Sequence, residues 1–290
     1  MAKIFQLTKC VVDGCGPLWL TRGMVTKPES HTTLGDRLIA HAVWVRSNGR
    51  AGTRFTLADA KVTDADLSRA DLSDVNLSRA NLAGADLSRA TLAGANLARA
   101  NLNRADLPRA DLTDANLADA NLAETLLFRA DLSRANLAGA NLARANLNRA
   151  DLPRADLTDA NLADANLAGA DLTGANLTGA TLAGADLTDA NLADANLAGA
   201  NLTWGDLTRA NLVGANLAAA DLTKADLTGA ALTDAHLADA YLTDAILNGA
   251  DLAHADLSGT NLSRANLAPG ASGAPRPHMP VAWAGGGAES

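Results

Sequence analysis

Cys10 and Cys15, with four residues between them, and His31 and His41 are the side chains best suited to hold a metal, since thiolates and imidazoles in fours make structural zinc sites. The Cys spacing is loose for a zinc pair, and two thiols buried in a small core account for the same residues. No metal is assigned. His236, His254 and His278 stand apart, without partners for nucleophilic chemistry. No Walker-type glycine loop and no H-E-x-x-H sequence occurs. A chain built from Ala and Leu offers no cleft in which a pKa could be tuned. No catalytic residue and no cofactor is assigned, and the chain reads as a non-enzyme.

The remaining chemistry is charge. With 24 Lys and Arg against 32 Asp and Glu, the net charge is -8. This disfavours direct nucleic-acid binding, which needs clustered basic residues. The charge is unevenly spread. Residues 1–54 carry +5, residues 55–154 carry -1, and residues 155–269 carry three basic against 15 acidic residues, or -12. Arg69, Arg89, Arg109, Arg129 and Arg149 recur every twenty residues. Two residues beyond them stand Asp71, Asp111, Asp131 and Asp151, with Thr91 the exception, which predicts an Arg ladder neutralised by an Asp ladder beside it. No run of 18 apolar residues suggests a membrane span. Lys9 and Asp13 interrupt the apolar stretch a secretory signal would need. Two Cys make no disulfide framework, so a cytoplasmic location is expected.

The elements that position these groups follow from one period. Aromatic residues are only 3%, so an ordinary mixed core is not expected. From Phe55 to Pro269 the chain is a five-residue repeat whose central position runs from 57 to 267, 43 units in all, Leu everywhere except Val62. Two residues earlier stands Ala, except at Phe55, Val75, Thr125, Gly205 and Thr260. A step of five scatters Leu around an α-helix and alternates it between the faces of a strand. A short extended segment does fit: Ala and Leu point inward, the Asp or Asn between them points outward, and the next two residues turn a corner.

The pattern A-(D/N)-L-x-x, as in Ala105-Asp106-Leu107-Pro108-Arg109, resembles the pentapeptide-repeat family. The resemblance implies an all-β fold: a right-handed, four-sided parallel β-helix of about eleven coils, each coil of about twenty residues and ~4.8 Å in height. Outward positions twenty apart then stack into ladders, such as Asn81, Asn101, Asn121, Asn141 and Asn161. Residues 1–54, with Phe5, Trp19 and Trp44, read as a cap with a strand or short helix over 38–45. Residues 270–290, rich in Gly, Ala and Pro, read as a disordered tail.

Residues 92–123 and 137–168 are identical over 32 positions, an offset of nine units. Nine is not a multiple of four, so the copy sits one side further round. Family members that protect DNA gyrase from quinolones are rods taken to mimic DNA. The resemblance therefore implies a protein partner of the type II topoisomerase class. Asp156, Asp159, Asp164, Asp171, Asp186, Asp189 and Asp194 are the expected contacting groups. It also implies a homodimer through the C-terminal end. His236, Tyr241 and Ile246, which replace Asp or Asn on consecutive sides of one coil, form an expected contact patch. The alternative is a scaffolding rod that captures a protein through the cap or that patch.

Overall fold

The computed structural model describes residues 56–267 and, ahead of them, Ala40, Val43, Ser47, Ala51 and Gly52. Ala40 and Val43 are helical, within the 38–45 segment for which a strand or short helix was open. The rest of the expected cap, including Cys10, Cys15, His31 and His41, and the expected tail 270–290 lie outside the described residues.

From Thr56 onward the chain is a parallel β-helix. Every bridge joins residues twenty apart, from Thr56 with Asn76 to Ile246 with Asn266, and all are parallel. Each coil contributes four bridging residues, so four ladders run along the rod. The first face begins at Thr56, the second at Lys61, the third at Asp66 and the fourth at Asp71, each continuing at every twentieth residue. A corner of two turn residues follows each face. Inside, every central Leu from Leu67 to Leu247 is at most 1% exposed. Burying such a side chain contributes roughly 1.5–3 kcal/mol before ordering entropy is counted. Thr125, a polar residue in the inward small position, satisfies its hydroxyl by donating to the Leu122 carbonyl at 2.7 Å.

The unit from Asn96 to Ala100 shows where the backbone donors go. Asn96 N–H donates to Val75 O in the preceding coil, while Leu97 and Arg99 donate to Asn116 O and Ala118 O in the following one. Ala100 N–H closes the turn on Leu97 O at 2.9 Å. The fifth donor, Ala98 N–H, has no carbonyl to reach and bonds the Asn96 side-chain oxygen at 3.2 Å. Asn and Asp are suited to this because their side chains accept from the N–H two residues on. The outward residue is thus part of the fold and not a free decoration.

The turn imposes a second condition. Its second residue has φ between 53° and 67° at all 42 described units, and 30 of these residues are not glycine. Such a backbone costs an L-residue about 1–2 kcal/mol. Gly199 and Ala219 hold this position on successive coils of one corner, and a Cβ added at Gly199 meets nothing within 4 Å. Ala219→Gly is therefore expected to raise unfolding free energy by about 0.5–1 kcal/mol and Gly199→Ala to lower it by a similar amount. Urea titration of the two variants checks this. Two unshifted midpoints would mean that the strain is relieved by neighbours.

Asn and Asp differ once they stack. Asn101, Asn121, Asn141 and Asn161 each donate an Nδ2 proton to the Asn one coil below, at 3.0 to 3.3 Å. Asp has no proton to donate. It takes a second donor from a hydroxyl at the first turn position, as Asp111 does from Thr113 and Asp131 from Ser133. Asp151 has neither donor, because Pro153 lacks both an N–H and a hydroxyl. Partial burial raises its carboxyl pKa above the ordinary value, and the charges of Asp131 and Asp171 raise it further. A raised native pKa means that the folded state takes up the proton more readily. This contribution to stability is present at low pH and is lost as pH rises through that pKa. Asp151→Asn should remove the repulsion and add an amide donor, as Asn191 supplies to Asp171 at 3.2 Å in the same ladder. The expected gain is about 0.2–1 kcal/mol at pH 7, shrinking in melts run at about pH 3. A gain unchanged with pH would assign the effect to the amide alone.

Candidate binding surfaces

The outward rows and the corners divide the surface chemistry. Outward rows on the first two faces are mostly Asn, while those on the third and fourth are richer in Asp. The corners hold the left-handed residues, and most of the Arg residues stand there.

All seven described ion pairs join corner residues twenty apart, so they run along the rod axis. Arg79 grips Asp59 and Arg134 grips Asp114 through two hydrogen bonds each, at 2.6 to 2.7 Å. Arg209 with Asp189 and Arg264 with Asp244 repeat the arrangement. Glu124 takes Arg104 from one side at 2.7 Å and Arg144 from the other. The arginine hydrogen bonds hold the carboxyls of Asp59, Asp114, Asp189 and Glu124 below their ordinary pKa. These pairs are exposed, and such pairs add little to stability.

The expected neutralisation of the Arg column by Asp ladders at its sides takes a different form. Arg69, Arg89, Arg109, Arg129 and Arg149 occupy one corner, between the third and fourth faces, as the spacing predicts. None makes an ion pair with a described carboxylate. The reason is geometric: paired side chains lean up or down the corner, and this column offers only more Arg as far as Arg149, then Gly169, before the first carboxylate at Asp189. Arg129 instead lies over the Phe128 ring, 5.1 Å from its centre. Exposed Leu126 is part of the same coil, in an outward row where its neighbours are Asp106 and Asn146.

The seven expected contact carboxylates ring the rod. Asp156 belongs to the first face, Asp186 to the third and Asp171 to the fourth. Each gives an oxygen to its own turn, accepting the N–H of Thr158, Thr188 and Thr173 respectively. Asp159, Asp164, Asp189 and Asp194 take the four corners in order, at φ of 55° to 57°. At Gly184 and Gly214 an added Cβ would come within 2.6 Å of an Asp164 or Asp194 oxygen, so these glycines make room for the carboxylate of the coil before. Asp189 is held by Arg209. The seven carboxylates cannot meet one flat partner together, but a surface that embraces a cylinder could reach most of them.

His236, Tyr241 and Ile246 take consecutive faces of one coil, as expected. They bridge on the first, second and third faces respectively, so His236 is two faces from Ile246. Tyr241 and Ile246 do flank a common corner, the second. Trp204, which sequence reasoning did not join to them, belongs with this pair. It stands in that same corner two coils earlier, with the Lys224 ammonium 4.2 Å from its ring centre. The twenty-residue period, applied to 204, 224 and 244, would have revealed the grouping. Among the described residues no three His, Cys, Asp or Glu side chains are placed to hold a metal ion. No described helix is long and apolar enough to cross a membrane.

Comparison with known proteins agrees with the geometry. The model of the family described as pentapeptide repeats matches in eight copies, over residues 56–94, 90–127, 125–167, 155–194, 195–234 and 235–268. No curated protein sequence matches significantly. Among solved structures, the chain is similar to HetL, a pentapeptide repeat protein involved in heterocyst differentiation regulation from the cyanobacterium Nostoc sp. strain PCC 7120. The identity is 34% and the TM-score 0.51, covering 81% of this chain and 95% of HetL. QnrB1, a plasmid-mediated fluoroquinolone resistance protein, in a trypsin-treated form, is 16% identical with a TM-score of 0.42, covering 74% and 92%. With its repeats matched from residue 56 to residue 268, this chain belongs to the pentapeptide repeat family.

Proposed function

We propose that this chain is a non-catalytic binding rod whose acidic distal coils occupy a basic, DNA-binding surface of a protein, with a type II topoisomerase such as DNA gyrase the first candidate. The carrying observation is the charge of residues 155–269, -12 in net. Of the three cations there, Arg209 and Arg264 pair with Asp189 and Asp244, and Lys224 lies over Trp204. At ~4.8 Å per coil this segment is about 27 Å long, so its charge density is about one per 2.3 Å, against about one per 1.7 Å of B-DNA. The wrapping of carboxylates around all four corners suits a groove that closes on a cylinder.

A second reading is a regulatory scaffold in which the rod presents a docking site to a protein partner. The rotated duplication favours it. Asp111, Asp114 and Asp119 are repeated as Asp156, Asp159 and Asp164, each one side further round, so the copy keeps length and charge but not placement. HetL, which is involved in regulation of differentiation, is a relative with which a regulatory binding role would be shared. A cytoplasmic location is part of both readings.

Gyrase supercoiling assays with and without a fluoroquinolone, at two salt concentrations, separate them. Under the first reading the protein inhibits or protects at low salt, and the effect fades as salt screens the contact. Asp186→Asn, Asp206→Asn and Asp226→Asn together should weaken it on the order of tenfold, because an amide keeps the turn bond and removes the charge. No effect at micromolar protein, or one indifferent to salt, would leave the scaffold reading.

A further inference from the structure

Starting from the reading that the rod binds proteins, we propose that its second corner between Trp204 and Ile246 is a docking anchor for a partner that offers an apolar pocket rimmed by Lys or Arg.

Trp204 is an expensive residue for its position. Its φ is 62°, an outlier for a bulky aromatic side chain, and glycine fills the same corner at Gly84 and Gly184. Little burial offsets that strain, since Trp204 is 66% exposed. The ring is nevertheless held in place, with the Lys224 ammonium over its face at 4.2 Å. A fixed, exposed aromatic loses little freedom on binding, which is why such residues dominate interface energetics.

Two coils further along, Tyr241 and Ile246 stand on either side of the same corner, 52% and 36% exposed. Their coil departs from the rule of the outward row. Ala231, His236, Tyr241 and Ile246 occupy its four outward positions, and none can supply the side-chain oxygen that closes the turn elsewhere. This coil keeps its backbone turn bonds but gives up the side-chain ones, and gains, at the second corner, two large side chains facing solvent.

The surroundings select the partner. Asp221 lies in the outward row on one side of the corner, Asp206 and Asp226 on the other. Two basic groups share the corner and both are engaged: Lys224 lies over the Trp204 ring, and Arg264 reaches back to Asp244 between Tyr241 and Ile246. An acidic rim around an apolar centre matches a basic rim around a pocket. A second copy of this chain matches poorly, because it would bring another segment of net charge -12 against this one.

Panning a phage library of random peptides on the full-length protein tests the proposal without a known partner. Trp204→Ala/Tyr241→Ala is the comparison chain, its fold verified by its melting curve. The expected peptides combine aromatic or aliphatic residues with Lys or Arg and bind the unaltered chain about tenfold tighter than the double variant. Their affinity should also fall with Asp206→Asn/Asp221→Asn/Asp226→Asn more at low salt than at high. No enrichment, acidic peptides, or peptides indifferent to the double variant would overturn the proposal. So would light scattering showing a dimer that the double variant splits, since the corner would then belong to a second copy. Failure of the gyrase assay with peptides mapped to Trp204 would remove the topoisomerase reading alone. Gyrase inhibition beside indifferent peptides would remove the anchor alone.

Discussion

Each pentapeptide without proline has five backbone N–H groups and must find five acceptors within its own coil and the two beside it. Three are in the coils before and after, one is within the turn, and one is a side-chain oxygen, as Asn96 to Ala100 shows. Leaving a polar backbone group unpaired away from water costs about as much as a lost hydrogen bond. The Leu core makes collapse favourable, but this allocation fixes which collapse. It sets the twenty-residue register, since only there do the Leu97 and Arg99 donors reach Asn116 and Ala118 carbonyls. It also explains why the outward row is Asn or Asp when many other polar residues would be as soluble.

The freedom left to the surface is correspondingly small. Most outward Asn and Asp residues are already engaged in their own turns, so the corners become the places where charge can vary. Corner residues see mainly the residues twenty before and twenty after, and complementary charges therefore pair along the axis. Where the sequence puts one sign in a corner repeatedly, as from Arg69 to Arg149, no partner is within reach. Where an outward row repeats Asp without a helping hydroxyl, as at Asp151, the carboxylate titrates upward. The electrostatics of this molecule are those of four parallel columns, each reading its own sequence at intervals of twenty.

Much of this was legible in the sequence. The period of five, the inward Leu and Ala and the outward Asp or Asn follow from spacing, the twenty-residue stacking was implied by the family resemblance, and the structure has each of them. The lateral neutralisation of the Arg column was not legible correctly, because side-chain direction at a left-handed corner cannot be taken from spacing alone. His236, Tyr241 and Ile246 stand on consecutive sides, as their spacing of five predicts, while the contact between Trp204 and Lys224, twenty apart, is legible only along the column. A further regularity was present and went unread. Asp in the outward row is usually followed two residues later by Ser or Thr, as in Asp131-Leu132-Ser133, and Asn by Ala, as in Asn116-Leu117-Ala118. A carboxylate needs the hydroxyl's proton, and an amide brings its own.

The duplication of 92–123 as 137–168 has a consequence for how such a gene can change. Unequal recombination between near-identical repeats adds or removes whole pentapeptides, and the core accepts any number of them. The exterior does not. Only additions in fours keep every later residue in its column, and all others turn the distal half of the rod relative to the proximal half by quarter steps. The gene therefore carries a combination dial: one slip during replication re-pairs only the corners that span it and changes which proximal and distal chemistries share a side, while each codon outside the slip stays as it was. Lineages can sample new surfaces in this way without a single substitution and without risking the fold.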